Sequence, residues 1–175
     1  TMFHLQREIG GWTSAKALFS QEVEPQYTHN YGHIACATDG TLYAACHFYN
    51  VGGSDNQPVT GDRSKMRSYG AAVLKSTDLG ATWCDLHGDP VDLPTTYNHR
   101  IAIPPFDRNI YINTIALDTL NTLWALTLNP GLEDNAVWLS RWVGQDWQTM
   151  QLERYMPESR TPVESMMTID THNRL

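Results

Sequence analysis

Residues 76–83 read STDLGATW, a polar turn set between the apolar run AAVL at residues 71–74 and a closing tryptophan. The stretch predicts strand, tight turn, strand. Gly80 can take the positive φ that such a turn needs, Asp78 can accept from backbone amides of its own turn, and Trp83 can cover the turn with apolar surface. A second stretch, SRWVGQDW at residues 140–147, aligns on the first without gaps, pairing Ser140 with Ser76, Gly144 with Gly80 and Trp147 with Trp83. A weaker third copy is QREIGGW at residues 6–12.

Hairpin signals precede the two better copies: HIACATDGTLYAACHFY at residues 33–49 and YINTIALDTLNTLWALTL at residues 111–128. SMMTIDTHNRL, residues 165–175, begins a further one, with DTHNR aligned on the first hairpin turn. Each unit therefore reads strand, Asp-led turn, strand, longer loop, strand, Ser-Gly-Trp turn, strand, which is a four-stranded antiparallel sheet. Recurrence of such sheets with few helical patterns between them predicts an all-β chain, a β-propeller of four-stranded antiparallel blades. The expected division is a blade end at residues 1–20, a blade at 27–94, a second at 108–156 and the start of another at 163–175. Closed propellers use about four to eight blades, so the chain is expected to be a fragment with the remaining blades missing.

A two-residue turn at Asp39 and Gly40 would set Cys36 opposite Tyr43, Cys46 opposite His33 and Asn30 opposite Tyr49. No disulfide joins Cys36 to Cys46 in that register, and the three cysteines, with Cys84, read as free thiols without zinc or redox spacing. A slip of one residue would carry Asn30 to the other face.

The chain has 175 residues, 41% of them hydrophobic, which suits a folded domain with a core. Its formal net charge of −7, from 19 acidic and 12 basic residues, argues against nucleic acid and anionic membranes as partners. No apolar run approaches the roughly 18 residues of a membrane span, and no leader pattern opens the chain. Phosphate-binding GxxxxGK[ST], dinucleotide GxGxxG, HExxH and GxSxG motifs are absent.

STDLGATW matches the S-x-D-x-G-x-T-W Asp-box at every specified position, so the chain resembles the sialidase-like BNR-repeat propellers; SRWVGQDW is a degenerate copy without the Asp. Residues 28–50 and 76–94 are more closely similar to BNR-repeat proteins related to polysaccharide lyases of the ulvan type. The resemblance implies a carbohydrate-active propeller, secreted or periplasmic, with a poly- or oligosaccharide as partner. In such proteins the Asp-box residues, here Ser76, Asp78, Gly80, Thr82 and Trp83, are a folding device away from the active face. No cofactor is implied, and a structural calcium, were one present, is assigned no residues.

Blade connectivity places first-strand starts, second-strand ends and the loop between second and third strands at one end. In the first full blade that end collects His29, Asn30, His47, Tyr49, Asn50 and a 19-residue loop at 51–69 carrying Arg63 and Arg67. Cleavage of a uronate glycan by β-elimination needs a group that neutralises the carboxylate, a base for the C5 proton and an acid for O4. Arg or Asn suits the first task, and His or Tyr the others. His47 and Tyr49, two apart on one strand, share a face and are the candidate catalytic pair. His29, Asn30, Asn50, Arg63 and Arg67 are the candidate substrate-binding residues.

The same residues also fit plainer roles. His29, His33 and His47 can be strand-end polar groups, Arg63 and Arg67 solvated charges, and Tyr27, Tyr43 and Tyr49 interface rings. A sialidase-like glycoside hydrolase is the alternative, although HRIAIPPF at residues 99–106 does not match the R-I-P motif of that family and this end lacks a carboxylate pair. A non-catalytic glycan- or protein-binding propeller is the other.

Overall fold

The computed structural model describes residues 2–4, 7–8, 11–12, 14–20, 28–29, 32–50, 53, 67–106, 110–128, 136–152 and 167–174. Among them the chain forms strands and no helix. Four short strands open it: β1 (Met2–His4), β2 (Arg7–Glu8), β3 (Gly11–Trp12) and β4 (Lys16–Phe19). β1 pairs with β4, and β2 with β3, both antiparallel.

The first large sheet contains β5 (Thr28–His29), β6 (Gly32–Cys36), β7 (Leu42–Asn50), β8 (Ser68–Ser76) and β9 (Ala102–Ile103). β5 and β6 lie successively along one edge of β7, so the sheet is four strands wide. Its two central strands read LYAACHFYN and SYGAAVLKS, nearly continuous apolar runs, because both of their faces are covered. On one side Cys46, Phe48, Ala72 and Leu74 meet Phe19 of β4 together with Trp83, Tyr97 and Ile101. On the other, Ala45, Ala71, Val73 and Ile103 meet the second sheet.

That second sheet is a four-stranded antiparallel meander of β10 (Tyr111–Leu117), β11 (Leu123–Leu128), β12 (Val137–Val143) and β13 (Asp146–Leu152). Ile112, Ile115, Leu123 and Ala125 form its half of the shared core. The expected pair of four-stranded antiparallel sheets is therefore present. Ser68 Oγ donates across the junction to the Ile110 carbonyl.

Three local expectations need correction. The turn after β6 has three residues, 38–40, not two: the Gly40 amide donates to the Ala37 carbonyl at 3.0 Å and the Ala37 amide to Thr41 at 2.8 Å, with Gly40 at φ +89°. A third loop residue absorbs the strand twist and moves the ladder by one. Cys36 therefore faces Leu42, Tyr43 faces Ala35, Cys46 faces Gly32 and His33 faces Ala45.

The strand expected after Trp83 shrinks to isolated bridges from Cys84 to Lys75 and Pro90, and β9 completes the outer edge beside β8. SRWVGQDW also departs from STDLGATW. Val143 faces Asp146 and Trp142 faces Trp147 around a two-residue turn, while Ser140 sits within β12 opposite Ala125 and Thr149. QREIGGW follows this second geometry, with Glu8 facing Gly11 and Arg7 facing Trp12.

STDLGATW itself closes on its polar side chains. Asp78 accepts from Ser76 Oγ at 2.8 Å, the Thr82 amide at 2.9 Å and Thr82 Oγ1 at 2.6 Å. Ser76 Oγ accepts from the Gly80 amide at 2.8 Å, and the buried Trp83 indole donates to the Gly80 carbonyl at 3.2 Å. Asp78 is exposed, yet its bonds to Thr82, then Ser76, pull its carboxyl down to about 2. Ser76, Asp78 and Thr82 thus bond to one another within the turn.

Candidate functional site

The site is built where β7 ends and β10 begins. Ala45, His47 and Tyr49 alternate onto the face of β7 that meets the second sheet, and Tyr111 opens β10 against them. The His47 ring centroid lies 5.0 Å from Tyr111 and 6.1 Å from Tyr49, and the two tyrosine rings are 5.6 Å apart, so three rings form one cluster. Both tyrosines keep part of their surface in solvent, whereas His47 is 4% exposed.

A bulge in β8 shapes this end of the sheet. His47 pairs with Ala71 and Tyr49 with Ser68, so Tyr69 and Gly70 together oppose Phe48. Gly70, at φ +152°, has no Cβ because the Tyr97 ring occupies the space where one would be.

Burial, and secondarily His33, push the His47 pKa down to about 3, against an opposing pull from the Ile112 backbone. Burial also lowers His33, and the same Ile112 backbone again opposes it. Ile112 thus stands between two imidazoles on one face of the first sheet. The stability linkage follows from the sign of the His47 shift. The unfolded imidazole takes its proton near 6.5 and the folded one near 3, so this contribution is complete above pH 6.5 and is lost as the pH falls toward 3. An NMR titration is expected to show the His47 ring neutral through 6.5, and His47→Gln to flatten the fall of Tm over that interval. A ring that titrates near 6.5 would contradict the burial assignment.

The other candidates divide. His29 takes the register position opposite Tyr49, and Thr28 the one opposite Asn50; this is the one-residue slip, and it replaces Asn30 by His29 beside Tyr49. Asn30 and Arg63 lie outside the described residues. Asn50 is buried, and strand alternation assigns it to the face of Phe48, away from Tyr49. Its amide donates to the Arg67 carbonyl at 2.6 Å and its carbonyl accepts from Gly53 at 3.0 Å. Arg67 precedes Ser68, the partner of Tyr49, and its Nε donates to the Gly53 carbonyl at 3.3 Å. Arg67 is thus the cross-strand neighbour of Asn50 and takes its face, whereas Ser68, opposite Tyr49, takes the face of the ring cluster.

Tyr111 was not among the residues singled out in the sequence. The one available signal was its place at the start of a first strand. Among the described residues no three His, Cys, Asp or Glu side chains converge as a metal site. The ring cluster can stack on a sugar face and offer two phenol hydroxyls to a reacting group.

No protein-family model and no curated protein matches the chain. Solved structures that resemble it in fold include two of one lyase. One is described as a new family of polysaccharide lyase, the PL25 ulvan lyase, with a TM-score of 0.59 at 10% identity. The other is that lyase bound to -[GlcA(1-4)Rha3S]-, with a TM-score of 0.58 at 10% identity. Each alignment covers 79% of this chain and 34% of the neighbour, so the chain spans about a third of their length. At this identity the likeness is one of fold: an all-β chain of antiparallel four-stranded sheets similar to part of a polysaccharide lyase.

Proposed function

We propose that the chain is part of a β-propeller that cleaves a uronic-acid-containing polysaccharide by β-elimination. The observation that carries this reading is the cluster of His47, Tyr49 and Tyr111, assembled from two sheets at one end of the fold. In the reaction a base takes the C5 proton, the released electron pair forms the C4–C5 double bond, the C4–O4 bond breaks, and O4 receives a proton. Tyr49 and Tyr111, both partly open to solvent, are the proton carriers that can meet the sugar. His47 is too enclosed to touch substrate over much of its ring, and as a neutral imidazole packed against both phenol rings it positions them.

Of the candidate binding residues, His29 takes the register position opposite Tyr49 and is assigned to the uronate carboxylate. The fold neighbour's bound glucuronate–rhamnose sulfate fragment supports a substrate of that class. A secreted or periplasmic setting suits such a substrate.

Incubation with a glucuronate–rhamnose sulfate polysaccharide is expected to raise the ultraviolet absorbance of the C4–C5 unsaturated product. New reducing ends without that absorbance would replace elimination by hydrolysis. Binding of the polysaccharide with neither product would leave a glycan-binding propeller.

A further inference from the structure

Three turns of the chain share one construction, at residues 37–41, 118–122 and 170–174. In the second and third, an Asp carboxylate accepts two amides of its own turn: Asp118 from Leu120 at 2.9 Å and Thr122 at 2.8 Å, Asp170 from His172 at 2.8 Å and Arg174 at 3.0 Å. The fourth position of every turn has a positive φ: Gly40 at +89°, Asn121 at +61°, Asn173 at +58°. The second position is always threonine, Thr38, Thr119 and Thr171.

These positions join the turns to one another. Asn121 Oδ1 accepts from the Thr38 amide at 3.1 Å and from its hydroxyl at 3.2 Å, across 83 residues of chain. Asn173 Oδ1 accepts from the Thr119 amide at 2.9 Å and from its hydroxyl at 2.8 Å, across 54 residues. Asparagine is one of the few residues besides glycine that tolerates left-handed backbone, and there its side chain can reach the preceding turn. The joint has a direction: the asparagine of each turn holds the threonine of the turn before it. Thr171 repeats the geometry of Thr38 and Thr119, is exposed, and meets no asparagine among the described residues.

We propose that the turn at residues 170–174 is a docking socket for the turn of a further four-stranded repeat, which presents an asparagine in left-handed backbone to the Thr171 amide and hydroxyl. The two occupied joints identify the occupant. A second copy of this chain does not fit, because its first turn carries Gly40 where the asparagine is needed and its Asn121 and Asn173 are already engaged with Thr38 and Thr119. The inference does not depend on the proposed reaction.

The test uses the isotope-labelled chain and, as probe, a cyclised hairpin peptide with the sequence of residues 111–128, which carries Asn121. Titration to millimolar peptide is expected to shift the Thr171 amide and methyl signals saturably and to slow exchange of that amide by at least about tenfold at saturation. The same peptide with Asn121→Gly, which keeps the backbone freedom and loses the side chain, is expected to do neither. Within the chain, Asn173→Gly is expected to speed exchange of the Thr119 amide by about tenfold and leave Thr38 unchanged. Equal shifts from both peptides, no shift at Thr171, or an unaltered Thr119 amide in the Asn173→Gly chain would each overturn the socket.

Discussion

Tyr49→Phe and Tyr111→Phe are each expected to lower the rate of elimination by about 100- to 10,000-fold while leaving Tm close to that of the parent. Phenylalanine keeps the ring, and the ring makes the contacts within the cluster, 5.6 Å between the tyrosines and 5.0 and 6.1 Å to His47. Only the hydroxyl is lost. A proton carrier shows this loss in kcat, because the proton moves in the transition state; a sugar platform shows it in KM. Parental rates in both variants would remove the cluster from the chemistry.

Gly70→Ala is expected to cost about 3 kcal/mol or more in stability, since it combines overpacking with a backbone conformation unfavourable to L side chains. A Cβ there would stand 2.2 Å from Tyr97 Cε2 and 2.5 Å from Cζ. The Tyr97 ring cannot easily retreat, because Phe48 and Tyr69 pack against it at 5.7 and 6.3 Å and all three are buried. Chemical denaturation of Gly70→Ala, Tyr97→Ala and the double variant completes a cycle. The alanine at 70 should cost markedly less once the ring is gone. Gly70 also lies in the bulge opposite Phe48, between the partners of His47 and Tyr49, so the variant should lose activity even where it remains folded. Additive costs in the cycle would mean that Tyr97 is not the obstacle.

The features legible in the sequence were those set by short-range chemistry. STDLGATW announced its turn because Ser76, Asp78 and Thr82 satisfy one another within seven residues. The hairpin from Tyr111 to Leu128 was legible because two apolar-rich runs flank an Asp-led turn. SRWVGQDW misled because a serine, a glycine and a tryptophan at fixed spacing fit both a polar-bonded loop and a two-residue hairpin; with Trp142 where the first copy has Asp78, the strands run on to Val143 and Asp146. Within the candidate site, His47 and Tyr49 followed from strand alternation alone. Tyr111 did not, since its approach depends on how two sheets pack, with Ile110 and Ile112 set against Ala71 and Val73. The position of Asn50 on the opposite face was implicit in the same alternation that joined His47 to Tyr49.

The three-residue turn at 38–40 has a consequence for how this protein can vary through descent. From Thr41 to Tyr49 the strand climbs about 26 Å, so the turn and the ring cluster lie at opposite ends of the molecule. Yet loss of a single codon from that turn would restore two-residue geometry, rotate the paired strand by half a revolution and withdraw His29 from Tyr49 and His33 from the second sheet. Codons in this hairpin can be gained or lost harmlessly only in pairs, whereas point substitutions at the exposed Thr38 or Asp39 leave the facing intact. Lineages of this fold should therefore show turn lengths at this place that differ by even numbers, with odd changes accompanied by a new set of residues around the tyrosines.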